Sequence, residues 1–443
     1  MQTSFTLAQL ANPDIAEADK ILRACVHCGF CTATCPTYVL LGDELDSPRG
    51  RIYLIKEMLE HDRPATEDVV KHVDRCLSCL ACMTTCPSGV HYMHLVDHAR
   101  AHVEETYRRP LLDRLTRAFI AKVLPYPGRL RAAMLAAQPV RPLARLFDAL
   151  GLKPLAAALR LAPRRAPGSM TARGVHPAKG PRRGRVALLS GCANEALAPQ
   201  ITQATIRLLN RHGVEVVIPP GEGCCGSLVH HMGRETEALA RARANIDAWM
   251  AEIETGGLDA ILITISGCGT TVKDYGFMLR TDPAYAANAA KVSALARDIS
   301  EYLANLRLHA PVNGGGLAVA YHSACSLQHG QRVHREPKEL LAACGFVVKD
   351  VPEAHLCCGS AGTYNILQPE IADKLRDRKV GNIEKTGADV IAAGNIGCIM
   401  QIAAGTAMPV LHLVELIDWA TGGPVPEALQ EHVAARGGLN EQP

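Results

Sequence analysis

Cys25-Val26-His27-Cys28-Gly29-Phe30-Cys31-Thr32-Ala33-Thr34-Cys35-Pro36 returns 51 residues later as Cys76-Leu77-Ser78-Cys79-Leu80-Ala81-Cys82-Met83-Thr84-Thr85-Cys86-Pro87. Each copy is C-x2-C-x2-C-x3-C-P. Three thiols two residues apart on a short turning loop can wrap one face of a cubane [4Fe–4S] cluster, and the extra residue and proline throw the fourth past that face. Zinc also binds C-x2-C pairs. A doubled eight-cysteine run that keeps both prolines favours iron–sulfur over two zinc sites.

In two-cluster ferredoxins the fourth cysteine of each run ligates the other cluster. That rule predicts one [4Fe–4S] cluster on Cys25, Cys28, Cys31 and Cys86, and a second on Cys76, Cys79, Cys82 and Cys35. The crossing ties both halves into one unit. Between the runs, Asp46-Ser47-Pro48 reads as a helix cap and first turn, with a helix to about residue 61 and another over 67–74. A further short helix over 14–24 leads into the first run. The expectation is an α-helical dicluster, ferredoxin-like domain over residues 1–107. Arg49, Arg51 and Arg75 are either tuners of cluster potential through charge and hydrogen bonding or ordinary salt-bridged surface groups.

Seventeen cysteines in 443 residues, clustered rather than dispersed, point to metal and a reducing compartment instead of disulfides. No apolar run approaches the roughly 20 residues that span a bilayer, and Asp14, Glu17 and Asp19 precede any hydrophobic stretch. These features predict a cytoplasmic protein whose membrane contact is peripheral. The net charge of +3 hides an uneven distribution: residues 108–185 carry 18 Lys and Arg against Asp113 and Asp148, with ten prolines. This segment reads as a basic, proline-rich helical linker with amphipathic pieces over 111–124 and 142–150. An anionic membrane surface, an acidic partner subunit, or packing on the protein itself would each suit it. It lacks the interleaved aromatics of a nucleic-acid binder.

From residue 186 the chain is duplicated. Cys192, Cys224-Cys225-Gly226 and Cys268 are followed by Cys325, Cys357-Cys358-Gly359 and Cys398, at offsets of 133, 133 and 130 residues. The copies are bounded as 186–312 and 313–443. Strands are predicted over 186–190, 214–218 and 258–265, then 317–321, 346–351 and 389–393, with helices over 235–254 and 369–385 between them. Such alternation implies parallel sheets with reactive groups at the carboxyl ends of the strands. All eight repeat cysteines fall after strands. Cys344 lies outside the repeat and reads as a small buried hydrophobe.

The doubled cysteine run and the two Cys-Cys-Gly repeats resemble the family of the heterodisulfide reductase B-type cysteine-rich (CCG) domain joined to a ferredoxin-like module. The stretches that carry the likeness are Cys25 to Tyr38, Leu41-Gly42-Asp43-Glu44-Leu45-Asp46, Pro48 to Leu54, His355 to Tyr364, and Asn395-Ile396-Gly397-Cys398. The resemblance implies a multidomain electron-transfer subunit. It would belong to a membrane-associated complex that oxidises glycolate to glyoxylate, and also short 2-hydroxy acids such as D-lactate, with FAD on partner flavoprotein subunits. This chain would carry the electrons toward a quinone-type acceptor at the inner membrane, with no catalytic acid or base of its own. Consistently, it contains neither a G-x-G-x-x-G fingerprint after a strand nor a P-loop.

The repeats depart from the family, whose C-x2-C ending can hold a non-cubane cluster; here they end in Cys268-Gly-Thr-Thr271 and Cys398-Ile-Met-Gln401. Four thiols per repeat remain. Cys325, Cys357, Cys358 and Cys398, near His322, Gln328 and His329, are the stronger candidates for a third cluster; Cys192, Cys224, Cys225 and Cys268 form the other set. Three alternatives stay open: repeats that only dock the flavin subunits, a thiol–disulfide reductase centred on the repeats, and a related lactate or glycerol 3-phosphate dehydrogenase subunit.

Overall fold

The computed structural model describes residues 1–162 and 168–435. Its N-terminal module is helical. Asn12, Ser47 and Thr66 cap helices Pro13–Ala24, Pro48–Glu60 and Glu67–Asp74 with their side chains, the first two followed at once by proline. Leu22, Ile55, Val73, Leu95, Val96 and Val103 lose essentially all solvent contact where these helices meet Tyr92–Thr106. Gly50 has no room for a side chain: a Cβ there would stand 2.1 Å from the Glu44 carbonyl oxygen.

The basic segment forms helices Leu111–Val123, Pro127–Ala137, Ala144–Ala149 and Lys153–Leu161, but it is not helical throughout. It also holds strand β1 (Gly174–His176), and strand β2 (Gly184–Leu189) begins inside it, two residues ahead of the expected boundary. Both are driven by pairing: β1 runs antiparallel along β3 (Val214–Ile218), and Gly184 is in register with Val214. A three-residue edge strand whose middle residue is exposed offers no alternation to detect in the sequence.

Each repeat builds four parallel strands with helices between them, and in the first β1 adds an antiparallel edge. The first has the order β1-β3-β2-β4-β5, with β4 at Ala260–Ile263 and β5 at Ala296–Asp298. The second has the order β7-β6-β8-β9, with β6 at Ala318–His322, β7 at Val347–Lys349, β8 at Val390–Ala393 and β9 at Val410–His412. The fully buried β4 and β8, and residues 186–189 of β2, are unbroken apolar runs, as central parallel strands must be. The repeats abut at the carboxyl ends of β4 and β8, where the Ser266 amide donates to the Gly394 carbonyl at 3.2 Å and the Ser266 and Ser326 hydroxyls are 2.7 Å apart.

Replacing Gly50 by alanine is expected to destabilise the N-terminal module by about 1–3 kcal/mol, the usual cost of forcing atoms into packed space. A lowered melting temperature with unchanged iron content checks it; an unshifted melt contradicts the close approach at Glu44.

Candidate metal centres

The two cysteine runs curl alike. His27 and Ser78, at matching positions, take positive φ values of 59° and 48°, and Gly29 and Leu80 take 87° and 62°. Left-handed conformations at non-glycine residues are unfavourable and persist where the surroundings impose them. Here they turn successive thiols to the inside of each loop. One cavity is lined by Cys25, Cys28, Cys31 and Cys86, together with Cys82, Phe30 and Arg49. The next is lined by Cys35, Cys76, Cys79 and Cys82, with Arg51, Leu80 and Tyr92. The fourth cysteine of each run thus sits with the first three of the other, and Cys82 borders both cavities. The first opens toward solvent at Cys28, whereas Cys35, Cys76 and Cys79 are buried. Burial pushes the Cys31 thiol up to about 11 and the Cys79 and Cys82 thiols well above their ordinary range.

Behind the second cavity lies a buried ionic network. Arg51 is 1% exposed and Asp46 is 0% exposed. Arg51 donates through Nη2 to Asp46 at 3.2 Å and to the Thr37 hydroxyl at 3.0 Å, through Nε to the His72 carbonyl at 2.6 Å, and its Nη1 is 3.8 Å from Cys35 Sγ. Asp46 also receives Arg75 at 2.7 Å and lies 2.9 Å from His72 Nδ1. Burial opposes the Arg51 charge, yet the surrounding Cys76, Tyr92, Cys35 and Asp46 hold its pKa above the usual value. Of the three arginines singled out, Arg51 therefore addresses a cysteine sulfur, Arg75 braces its carboxylate partner, and Arg49 pairs with Glu44 beside the first cavity. Asp46 and His72 were not anticipated; alternation cannot flag a polar residue that is buried only because another one is.

In the first repeat all four cysteines are buried, with Cys192 Sγ 3.6 Å from Cys224 Sγ and Cys225 within hydrogen-bonding reach of Cys224 and Cys268. The second repeat gathers its four in the same order: Cys325 Sγ is 3.8 Å from Cys357 Sγ, and Cys358 bridges Cys357 and Cys398. Its surroundings differ. The Gly359 amide lies 3.4 Å from Cys357 Sγ, and Asn395 Nδ2 donates to Cys398 Sγ at 3.3 Å. A ring nitrogen of His322 and the sulfurs of Cys358 and Cys398 all lie within 4.8 Å of one another. Burial, and secondarily Lys379, depresses the His322 pKa to about 3. Lys379 itself is 2% exposed, with Nζ donating to the Glu353 carbonyl at 2.8 Å; burial lowers its pKa, and Cys358, Cys357 and Cys398 act against that. A lysine in register with the buried Ala372, Leu375 and Ile383 on one helix was the available sequence signal for it.

His329 does not join the cysteines. Its Nδ1 lies 2.8 Å from the Thr84 hydroxyl and its Nε2 3.1 Å from the His355 carbonyl, while Gln328 bonds backbone carbonyls. His329 thus ties the repeat to the N-terminal module, whereas Gln328 braces loops within its own repeat. Leu77, Cys79 and Ala81 pack with Cys357, Tyr364 and Leu375, and the Tyr364 hydroxyl donates to the Arg75 carbonyl at 3.0 Å. The second repeat therefore meets the N-terminal module at the second cavity. The first repeat meets it elsewhere, through His94 with Asp274 at 2.9 Å and His231 with Asp97 at 3.0 Å.

Family models match at residues 21–90, a 4Fe-4S dicluster domain, and at residues 186–273 and 319–403, a cysteine-rich domain. The chain is 44% identical to the glycolate oxidase iron-sulfur subunit of Escherichia coli (strain K12), over 95% of this chain and 99% of that one. It belongs to the glycolate oxidase iron–sulfur subunit family. A "Probable glycolate oxidase iron-sulfur subunit" of Bacillus subtilis (strain 168) is 31% identical over the same shares. "Lactate utilization protein A" of Halalkalibacterium halodurans is 28% identical over 53% of this chain and 96% of its own. As a member of this family the chain is an iron–sulfur electron-transfer component with a helical dicluster module and two α/β cysteine-rich domains. The residues fit the group: each cavity offers four thiols with no disulfide among them, enclosed by a proline-bounded loop, and thiolate is the ligand that such clusters take. No helix among the described residues is long and apolar enough to cross a membrane.

Replacing Arg51 by methionine takes from the buried Asp46 carboxylate its one fully buried cation, leaving it Arg75 and His72, and frees the Thr37 hydroxyl and His72 carbonyl that Arg51 satisfies. It is expected to cost about 3–5 kcal/mol, as loss of one partner of a buried pair does. Thermal unfolding of the anaerobically purified chain measures this, and a loss below about 1 kcal/mol would contradict the network's role.

Proposed function

We propose that this chain carries electrons from FAD-bearing partner subunits that oxidise glycolate, and short 2-hydroxy acids such as D-lactate, toward a quinone-type acceptor. The observation that carries this reading is the continuity of its thiol sites: Cys82 borders both N-terminal cavities, and Cys79 of the second packs with Cys357 of the second repeat. Iron–sulfur clusters, when bound, accept and release single electrons, whereas removal of hydride from a 2-hydroxy acid is flavin chemistry. In this reading Cys25, Cys28, Cys31 and Cys86 hold the first cluster, Cys76, Cys79, Cys82 and Cys35 the second, and Cys325, Cys357, Cys358 and Cys398 a third. Arg51 steadies negative charge at Cys35. Lys379 does the same for the second repeat, where a buried ammonium with only a carbonyl partner is costly unless an anion sits beside it.

The first repeat acts as scaffold. Where it carries Glu195 and Glu222, three residues after Cys192 and two before Cys224, the second carries Gln328 and His355, and Asn245 stands in place of Lys379. The buried Glu195 and Glu222 put acidic groups where the second repeat has Gln328 and His355, and offer no positive charge to offset an anionic cluster. The functional units on this reading are residues 1–107, 108–185, 186–312 and 313–443.

The basic segment docks the complex on the inner face of the cytoplasmic membrane. Leu111, Leu112, Leu115 and Phe119 are all exposed along one helix, as are Leu143, Leu146 and Leu150 further on. Apolar side chains beside a local basic excess suit an anionic lipid surface, worth about 1 kcal/mol per Lys or Arg. Neutralising Arg141, Arg145, Arg164 and Arg165, the last two outside the described residues, is expected to weaken salt-sensitive co-sedimentation with anionic vesicles. Unchanged partitioning would rule out the lipid surface.

Reconstitution tests the main proposal. The chain alone should not oxidise glycolate, but its clusters should be reduced by glycolate once the flavin subunits are added. Turnover by the isolated chain, or no cluster reduction in the assembled complex, would refute it.

A further inference from the structure

We infer that the imidazole of His322 is a ligand of the cluster in the second repeat, adding a nitrogen donor to the thiols of Cys325, Cys357, Cys358 and Cys398. This rests on the reading of that repeat as a cluster site. His322 is the last residue of β6 and is 2% exposed, and its Nε2 has no hydrogen-bond partner. A buried, unsatisfied ring nitrogen costs about 1–3 kcal/mol and calls for a reason. The reason lies beside it: the sulfurs of Cys358 and Cys398 share a 4.8 Å neighbourhood with that ring. Imidazole and thiolate together are a donor set for iron.

The duplication supplies an internal control. In register, His322 pairs with Ala393 on β8, and its counterpart Leu189 pairs with Ile263 on β4. One copy thus places leucine where the other places an unpartnered histidine, so the fold itself does not require the imidazole. Nor does the residue three after Cys398 supply the donor. Gln401 is held by Asn365 Nδ2 at 3.0 Å and donates to the Ala372 carbonyl at 3.2 Å. Asn395 fixes Cys398 from another direction without occupying the histidine.

A neutral imidazole completes the donor set without the extra negative charge that a thiolate at the same place would bring, and so holds the potential above that of an all-sulfur set of the same size.

The test is pulsed EPR on reduced, anaerobically purified chain, grown with natural or 15N-labelled histidine, with a redox titration of each signal. The expected result is a histidine nitrogen coupling on one signal, that signal being absent in Cys357→Ser. In His322→Cys, which keeps a donor in place, the signal should remain, lose the coupling and shift to lower potential, with the N-terminal signals unmoved. A Cys357-dependent signal without histidine coupling in the wild type overturns the ligand assignment while leaving the third cluster standing. So does a coupling that survives His322→Cys. If no signal depends on Cys357, or stoichiometric zinc occupies the repeat, the cluster reading fails and the ligand assignment falls with it.

Discussion

Thiolates repel one another, and burial makes each harder to form. A chain that gathers four of them in one cavity must therefore enclose a cation to hold them together. Much of this fold serves that constraint. The left-handed turns at His27, Ser78 and Leu80, each costing on the order of 1–3 kcal/mol, aim thiols inward. Capped helices clamp the loop ends, and the parallel sheets of the repeats deliver cysteines at the carboxyl ends of their strands. Two of the buried cations, Arg51 and Lys379, lie within the electrostatic reach of these sulfurs.

The two repeats share the order of four parallel strands but differ in the residues at matching positions. The first carries Leu189, Asn245, Glu195 and Glu222 where the second carries His322, Lys379, Gln328 and His355, and docks on the N-terminal module through His94 with Asp274 and Asp97 with His231. The second presents histidine, lysine and asparagine, and docks through the cysteine loop itself, with Leu77 and Cys79 against Cys357 and Tyr364.

Much of this was legible from residue spacing. The crossed grouping of the eight N-terminal cysteines is what the two-cluster ferredoxin rule predicts for C-x2-C-x2-C-x3-C-P runs, and the cavities are lined in that pattern. The strands at 214–218 and 390–393 announce themselves as apolar runs ahead of cysteines. Three kinds of feature were hidden. The short edge strand β1 forms only because β3 offers an open edge. The pairing of Asp46 with Arg51 and His72 is long-range, and burial of a charge has no local signature. The asymmetry of the repeats needed the alignment of β6 with β2, which sets His322 opposite Leu189.

The most direct test of the central claim, a continuous path through the N-terminal cavities into the second repeat, is iron and acid-labile sulfide content. It should be compared between the wild type and Cys357→Ser/Cys358→Ser, both purified anaerobically. Three cubane-sized sites predict about twelve irons, falling to about eight in the variant. About eight irons in both proteins would contradict the account and confine the path to the N-terminal module.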